Sequence, residues 1–298
     1  MSAEPTKSHD AEDQDAIGEI METVLDQVEV SGSRKGQLYG LSTGFELLDS
    51  LTGGLEPGTL TVIASRPGMG RTTLLADFCR ESAIKNEVPT LFITLEETQE
   101  NLVHRILAAE CRVARHHMRS GCLTEEDWTR LARRMPVVAA APLWVKSPAR
   151  ATMALLALQA AEFVQEKGIR LIAVDGIQDI RPDKRSDLRE REVGDVVRDL
   201  KTMARELNVP VVATSHLNRA AQQRADKRPA MDDLRESGAI TFASDNLILL
   251  HRDDAYEKGS PRAGEADLFV VKHRQGPAAT VSVAFQGHYC RFVDMAQP

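Results

Sequence analysis

Short apolar runs alternate with amphipathic helical segments over most of the chain, and this alternation limits the folds open to it. The runs TLTVIAS, TLFITLE, IRLIAVDG and VPVVATS have the length and β-branched content of buried strands. Helical patterns separate them, such as EVGDVVRDLKTMARELN before the fourth run, and three further strand-like segments close the chain. Such strands are typical of parallel sheets covered on both faces. The sequence therefore predicts an α/β fold around a mostly parallel sheet.

The N-terminal segment follows a different pattern. Residues 1–15 are polar and acid-rich, and we expect them to form a disordered tail. Apolar residues then recur at three- and four-residue steps, which predicts an amphipathic helix over residues 17–28 within a helix-and-connection segment at 16–40. The apolar face of this helix can pack on its own domain or on a neighbouring subunit. We expect residues 41–298 to form one domain.

Composition excludes several classes of protein. The chain has 37 basic and 44 acidic residues, a net charge of −7, so no overall positive field draws it to nucleic acid or to anionic membranes. Its four cysteines are far apart, which argues against a zinc site or a disulfide framework and fits a reducing cytoplasm. No apolar run is long enough to span a bilayer. With 4% aromatic residues, any nucleic-acid contact is expected to be local and to involve phosphates.

The turn after the first strand carries the most specific motif. Residues 64–73 read ASRPGMGRTT and match the phosphate-binding pattern G-x-x-x-x-G-K-[ST], with serine at the first glycine and arginine at the lysine. A buried strand precedes the turn and a helix follows it, so backbone N–H groups can converge on phosphate oxygens. A strand–turn–helix without a ligand is the alternative. The predicted nucleotide-binding residues are Ser65, Arg66, Pro67, Gly68, Met69, Gly70, Arg71, Thr72 and Thr73.

Acidic residues end two other predicted strands. Asp175 ends LIAVD, where it could hold magnesium-bound water beside the hydroxyl of Thr72, and Glu96 ends TLFITLE, where it could orient an attacking water. Ligands gather at the carboxyl ends of parallel strands, so both acids are expected near the turn. Glu97 competes with Glu96 for the role of base, because strand alternation prevents both from facing the phosphates. Acids at strand ends are also often structural.

Later segments supply further candidates. His216 follows VPVVATS and could either sense a γ-phosphate or act as a structural partner. The long loop after it is rich in charges of both signs and is either solvated or a DNA contact. Lys272 and Arg274 leave a late strand at alternate positions, hence on one side. They form either a solvated edge or a pair that reaches a triphosphate in the next subunit, as an arginine finger does.

From residue 17 to residue 293 the ordered motifs resemble the RecA-like C-terminal motor domain of DnaB-type replicative helicases. The matching stretches are LSTGFELLDSLTGGLEPGTLTVIASRPGMG, FITLEE, CLTEEDW, LIAVDGIQDI, LNVPVVATSHLNR, DKRPAMDDLRESGAI, LILLHRDDAY and VKHRQGPAATVSVAFQGHYCRF. The resemblance implies a P-loop NTPase core that uses ATP and Mg²⁺ and unwinds DNA in the 5′–3′ direction. It further implies a homo-oligomer, a hexameric ring in the cytoplasm, with single-stranded DNA and other replication proteins as partners.

The resemblance also implies residue roles. Phosphate and magnesium would be held by the turn and by Asp175 as the Walker-B acid, with Glu96 as catalytic base. His216 falls where the family usually has a glutamine sensor, and the helix at 17–28 matches the linker helix that docks on the adjacent subunit. The remaining matches are the trans-acting pair Lys272 and Arg274 and the DNA-tracking loop residues Arg235, Glu236 and Gly238.

Three departures from the family pattern bear on activity. The N-terminal helical domain is missing from the sequence, so we expect something other than an ordinary replicative helicase. Gly176 replaces the tyrosine usual after the Walker-B acid. Arg71 replaces the lysine, and its planar guanidinium has a different reach from a compact ammonium, which predicts slow hydrolysis. The alternatives are an ATP-binding, weakly hydrolysing assembly or regulatory factor and a RecA-like regulatory ATPase without a DNA role.

Overall fold

A computed structural model describes residues 38–182, 188–218, 224, 226–234 and 238–295, together with 17, 18, 21 and 24–26. The chain divides into two units, Met1–Tyr39 and Gly40–Pro298. In the first unit every described residue from 17 to 26 is helical, as the periodicity predicts, and the apolar side chains among them are exposed. The tail predicted at 1–15 lies outside the described residues.

The second unit contains one sheet. Its strands are β1 (Leu60–Ser65), β2 (Thr90–Thr94), β3 (Leu143–Lys146), β4 (Leu171–Asp175), β5 (Val211–His216), β6 (Asn246–His251), β7 (Glu265–His273), β8 (Ala279–Gln286) and β9 (Arg291–Asp294). The order across the sheet is β3-β2-β4-β5-β1-β6-β7-β8-β9. Pairing is parallel from β3 to β6 and antiparallel from β6 to β9. The prediction of an α/β fold with a mostly parallel sheet is confirmed.

Helices connect the parallel strands. The connecting helices are α2 (Arg71–Arg80), α3 (Gln99–Cys111), α4 (Arg115–Ser120), α5 (Glu125–Ala140), α6 (Met153–Lys167), α7 (Arg189–Leu207) and α8 (Gly238–Ala243), and α1 (Glu46–Thr52) precedes β1. Threonine side chains cap α3, α5 and α6 by accepting backbone N–H bonds at their N-termini, which satisfies donors that the helix itself leaves free. None of the helices in the described part of the chain is long and apolar enough to cross a membrane.

Alternation along the parallel strands divides the core between the two faces of the sheet. In β2, Leu91 and Ile93 pack on the face covered by α6 and α7, whereas Phe92 packs on the face covered by α2 and α3. Each such fully buried side chain contributes about 1.5–3 kcal/mol to folding. Because β1, β2, β4 and β5 are parallel neighbours, their carboxyl ends lie at one edge of the sheet, and this edge positions the site described next.

Candidate nucleotide-binding site

A cavity of about 320 Å³ opens at the carboxyl edge of the parallel sheet. Its walls combine the Gly-rich turn with groups from other elements, and the lining residues are Arg66, Pro67, Gly68, Gly70, Arg71, Thr72, Thr73, Glu96, Arg105, His216, Phe285, Gly287 and Cys290. Strand register explains part of this convergence, because Ser65 pairs with His216 and Thr94 pairs with Asp175. The structure thus brings together residues that the sequence predicts as one site.

The Gly-rich turn joins β1 to α2 through two glycines in the left-handed region. Gly68 has φ 83° and Gly70 has φ 105°, and a Cβ on Gly70 would lie 2.9 Å from the Phe292 ring. No side chain among the described residues caps the start of α2, so its first N–H groups are not taken up by a capping side chain there. This geometry suits a phosphate. Two predicted binding residues, Ser65 and Met69, are buried and do not line the cavity.

Arg71, the residue in place of lysine, is 6% exposed and folds onto protein groups. Its Nη2 donates to Glu96 Oε1 at 2.6 Å, and its Nη1 donates to the carbonyl oxygens of Ser65 at 3.3 Å and Ser215 at 3.2 Å. The two His216 ring nitrogens lie 3.1 Å from Nη1 and Nη2. Arg71 Nε is buried and has no partner among the described residues. The guanidinium fork is therefore already engaged.

The structure distinguishes the two adjacent glutamates. Glu96 lines the cavity, and its pKa lies below the ordinary value of 4.5 because His216 donates a hydrogen bond to its carboxylate and the positive charge of Arg71 stabilises the ionised form. Glu97 is turned to Arg105, whose Nε and Nη2 each donate to its carboxylate at 3.2 Å. The geometry favours Glu96 as the acid that acts on a ligand. One detail of the sequence interpretation is wrong: β2 ends at Thr94, so Glu96 lies in the bend beyond the strand.

Asp175 is fully buried at the end of β4, as the sequence predicts. Burial raises its pKa above the ordinary value of 3.8, and the Glu96 charge acts in the same direction. Its Oδ1 accepts a hydrogen bond from Thr214 Oγ1 at 2.7 Å, whereas its Oδ2 is buried and has no partner in the described parts of the chain. An orphaned carboxylate oxygen beside the cavity fits a metal-bound water.

The donor set near Asp175 fits magnesium. Within the described ranges no group of three or more His, Cys, Asp or Glu residues could hold a metal ion by itself. Mg²⁺ normally keeps several waters and takes only one or two protein oxygens together with substrate phosphates. The hydroxyl of Thr72 and the carboxylate of Asp175 match that pattern, because Thr72 lines the cavity and Asp175 has a free oxygen.

Gly176 has a local structural explanation. Its φ is 105°, and a Cβ at this position would lie 2.6 Å from Asp179 Oδ2 and 3.2 Å from Glu96 Cγ. A tyrosine there would require both a strained backbone and a displaced Glu96. His216 shows a smaller difference from the sequence interpretation: it is the last residue of β5 and does not follow the strand.

Lys272 and Arg274 lie at the opposite edge of the sheet from the cavity. Lys272 pairs with Leu247 near the start of β6, whereas the Gly-rich turn follows Ser65, which pairs with Leu250 near the end of β6. Lys272 Nζ donates to the carbonyl oxygens of residues 241 and 244 at 2.6 Å and of residue 242 at 3.1 Å, at the end of α8. Neither cation can reach the cavity of its own chain.

Arg274 is the freer of these two cations. It follows β7, which ends at His273, so the predicted strand is one residue too long. Its Nε lies 3.3 Å from Asp245 Oδ1, and its side chain is 57% exposed. Gly238 begins α8, while Arg235 and Glu236, the other residues of the predicted DNA loop, lie outside the described residues.

Sequence reasoning missed one part of the cavity wall. Arg105 on α3 joins Glu97 to the Thr73 hydroxyl, to which its Nη1 donates at 3.1 Å. Phe285, Gly287 and Cys290 complete the wall from the antiparallel end of the sheet. Arg105 has no spacing signal in the sequence, whereas AFQGHYC belongs to a stretch that carries the family resemblance without a role for these residues.

Two curated proteins that are similar to this chain have the same name. "Replicative DNA helicase DnaB" of Leifsonia xyli subsp. xyli (strain CTCB07) is 44% identical over 291 residues, which are 98% of this chain and 64% of the relative. The protein of the same name from Mycobacterium leprae (strain TN) is 44% identical over 226 residues, 76% of this chain and 37% of the relative. The chain thus spans less than two thirds of these relatives.

Solved structures and a family model agree with these relatives. The "ATPase Domain of G40P" is 30% identical, with a TM-score of 0.89, and the match covers 95% of this chain and 100% of that one. A structure titled "The Structure Of A DnaB-Like Replicative Helicase And Its Interactions With Primase" is 30% identical, with a TM-score of 0.86 and coverage of 95% and 68%. The model of the DnaB-like helicase C terminal domain matches residues 40–294. The chain therefore belongs to the family of DnaB-like helicase C-terminal domains and has their RecA-like fold.

Proposed function

We propose that this chain is an ATP-dependent motor that moves on single-stranded DNA in the 5′–3′ direction as a homo-oligomeric ring, in the cytoplasm. The observation that carries the proposal is the convergence of four groups at one cavity. Arg71, Glu96 and His216 line it, and Asp175 stands beside it with an orphaned oxygen. They come from four separate chain segments, which a structural role for each would not require.

Each residue has a distinct task in the proposed reaction. The turn at residues 66–73 binds the phosphates through backbone N–H groups, and Thr72 and Asp175 hold magnesium. When bound, MgATP supplies the transferable phosphoryl group and part of the charge that offsets its negative oxygens. Glu96 orients water and accepts its proton, and the lowered pKa keeps its carboxylate ionised. His216 and Arg71 set the position of that carboxylate.

A second copy of the chain is needed to complete the proposed site. Lys272 and Arg274 face away from the cavity of their own chain, at the far ends of strands that rise about 3.3 Å per residue. In a head-to-tail assembly, one copy presents this edge to the cavity of the next, and such contacts close into a ring. The family supports a hexamer. We also infer that other replication proteins are partners, since one structural relative was studied with primase.

A second candidate function is an ATP-binding assembly or regulatory factor that hydrolyses slowly. One observation favours it: the Arg71 fork already donates to Glu96 and to two backbone carbonyls, so little of it is left for a phosphate. In this case the bound nucleotide sets the oligomeric state, and turnover is incidental.

Phosphate release and strand separation by the native chain, beside Arg71→Lys and Glu96→Gln, test the proposal. We expect release by the native chain to rise with single-stranded DNA, and Glu96→Gln to bind ATP without turnover. If the native chain releases no phosphate while Arg71→Lys does, the motor proposal fails and the regulatory candidate replaces it. DNA affinity that falls steeply with salt excludes an ATPase without a DNA role.

A further inference from the structure

Arg71 and His216 meet although they are 145 positions apart. Arg71 is the first residue of α2 and His216 the last of β5, and the pairing of β1 with β5 brings them together. Arg71 stands where phosphate-binding turns have lysine. The residue that breaks the pattern is thus in direct contact with a titratable side chain at the same cavity.

Hydrogen-bond chemistry assigns the His216 tautomer. A neutral imidazole has one N–H donor and one acceptor nitrogen. His216 Nε2 lies 3.1 Å from Glu96 Oε1, and its Nδ1 lies 3.1 Å from Arg71 Nη1. A proton on Nε2 satisfies these two contacts, because Nε2–H donates to the carboxylate and Nδ1 accepts from the guanidinium. Nε2 also lies 3.1 Å from Arg71 Nη2, and the two nitrogens are close because both donate to Glu96 Oε1. With the bond from Arg71 Nη2 to Glu96, the three side chains form a closed ring.

Only a guanidinium fits this ring. Arg71 reaches Glu96 with one nitrogen and the carbonyl oxygens of Ser65 and Ser215 with another. Lysine has a single nitrogen at the end of its side chain, so it cannot donate to the Glu96 carboxylate and to the two carbonyl oxygens in the geometry of the guanidinium. Its introduction would leave buried acceptors and His216 Nδ1 without their donor, which is costly. Meanwhile the buried and unpartnered Nε–H of Arg71 remains available to a ligand oxygen.

We propose that His216 is a positioning residue for Arg71, and that the two act as one unit that holds Glu96 in place. The unit replaces the lysine of the usual turn, so Arg71→Lys alone impairs this chain. This inference rests on the proposed function, since Glu96 is the proposed base. It also separates the two candidate functions, because a regulatory factor with a damaged turn would gain activity from that lysine.

A double-mutant cycle tests the pairing. The variants are Arg71→Lys, His216→Phe and the double variant, with His216→Gln as the conservative replacement that keeps one donor and one acceptor. We expect each of the first two to lower kcat about tenfold or more, and the double variant to be no slower than the slower single one. His216→Gln should stay within about threefold of the native rate, which a role in packing alone would not produce.

Arg105 provides the matched control. It lines the same cavity but bonds Glu97 and Thr73, not His216. Arg105→Lys combined with His216→Phe should therefore give multiplied effects. If Arg71→Lys and His216→Phe also multiply, or if Arg71→Lys is faster than the native chain, the pairing is wrong.

Urea unfolding of the nucleotide-free variants gives a readout that needs no turnover. The unit predicts the same non-additivity in the free energy of unfolding. If the native chain has no phosphate release and unfolding is non-additive, the proposed function fails and the pairing stands. If phosphate release is present and both readouts are additive, the function stands and the pairing fails.

Discussion

The two edges of the sheet differ in how their charged groups are used. At the carboxyl edge, three arginines line the cavity, and each already donates to a protein group: Arg66 to the Leu217 carbonyl, Arg71 to Glu96 and Arg105 to Glu97. At the amino edge, Arg274 is more than half exposed, with one acidic neighbour at 3.3 Å. The carboxyl edge thus holds the proposed base and the proposed metal-binding acid, and its arginines already have protein partners, whereas the amino edge holds an arginine that is mostly exposed. The difference indicates a site shared between copies.

The two cations of the amino edge differ from each other as well. Lys272 donates to three carbonyls at the end of α8, where a cation stabilises both the free acceptors and the helix dipole. Burial and the nearby positive charge of Arg274 lower the pKa of Lys272. Lys272 therefore stabilises the end of α8 within a single chain, whereas Arg274 makes only one exposed ion pair there. Variants of the two should separate stability from activity.

Arg274→Ala is expected to have the largest effect on turnover. Loss of a trans-acting arginine lowers phosphate release by about 10³-fold or more. The free energy of unfolding should change by under about 0.5 kcal/mol, because an exposed ion pair contributes little. Steady-state phosphate release and urea unfolding measure the two quantities. A stable variant with native turnover would mean that this cation belongs to a solvated edge.

Glu96→Gln tests the carboxyl edge in the same assay. Removal of the general base should lower phosphate release by about 10²–10³-fold, while binding of a fluorescent ATP analogue stays within about threefold. Glu97→Gln is the matched control, since Glu97 pairs with Arg105 and does not line the cavity. A larger loss from Glu97→Gln than from Glu96→Gln would reverse the assignment of the base.

Lys272→Met should act mainly on stability. It removes the charged donor from three helix carbonyls and keeps most of the aliphatic stem, so we expect a loss of about 1–2 kcal/mol in the free energy of unfolding. Hydrogen exchange of α8 amides locates the loss. Unchanged exchange in α8, with unchanged stability, would show that the three contacts contribute nothing in solution.

The smallest expected effect is on the free energy of unfolding at acid pH. The Glu96 pKa is lower in the folded chain than the ordinary value of 4.5, because His216 and Arg71 stabilise the carboxylate. The contribution is therefore fully present above that value and is lost as pH falls through the folded-state pKa. Glu96→Gln should remove under about 1 kcal/mol of this acid dependence in unfolding curves from about pH 6 down to about pH 3, which cover the range below the ordinary value. A steeper acid limb in the variant would contradict the shift.

Asp175 differs from Glu96 in the direction of its shift. Burial raises the pKa of Asp175, so two carboxylates at one cavity are pushed apart in acidity. The lowered pKa keeps the proposed base, Glu96, ionised, and a cation bound at Asp175 would offset the cost of burying its charge. Such opposed environments arise because Glu96 lies in a bend beside two donors, whereas Asp175 ends a fully buried strand.

The fold was predictable where the strands are continuous apolar runs. All the strands from β1 to β8 except β3 follow such runs, and Asp175 ends β4 as predicted. β3 and β9 have four residues each, and β3 is an edge strand without a fully buried residue, so the apolar run of each is too short to predict a strand. α5 was not predicted either, and it contains Pro136, which normally argues against a helix interior.

The candidate site was predictable as a set of strand ends and unpredictable as a set of contacts. Motif spacing places the turn, Glu96 and Asp175 at one edge, because parallel strands end together. The order of the strands across the sheet has no such signal in the sequence. His216 contacts Arg71 because β5 lies beside β1, and motif spacing does not predict that pairing. The capping contact of Lys272 likewise depends on where α8 ends.

Mixing two inactive variants tests the shared site most directly. Glu96→Gln keeps an intact amino edge, and Arg274→Ala keeps an intact carboxyl edge, so neither assembly alone has a complete site. When the two chains are mixed and allowed to co-assemble on single-stranded DNA, some interfaces join the two intact edges. The shared site predicts that phosphate release returns well above that of either variant. Co-assembly, shown by native mass spectrometry, with release no higher than that of the separate variants would contradict it.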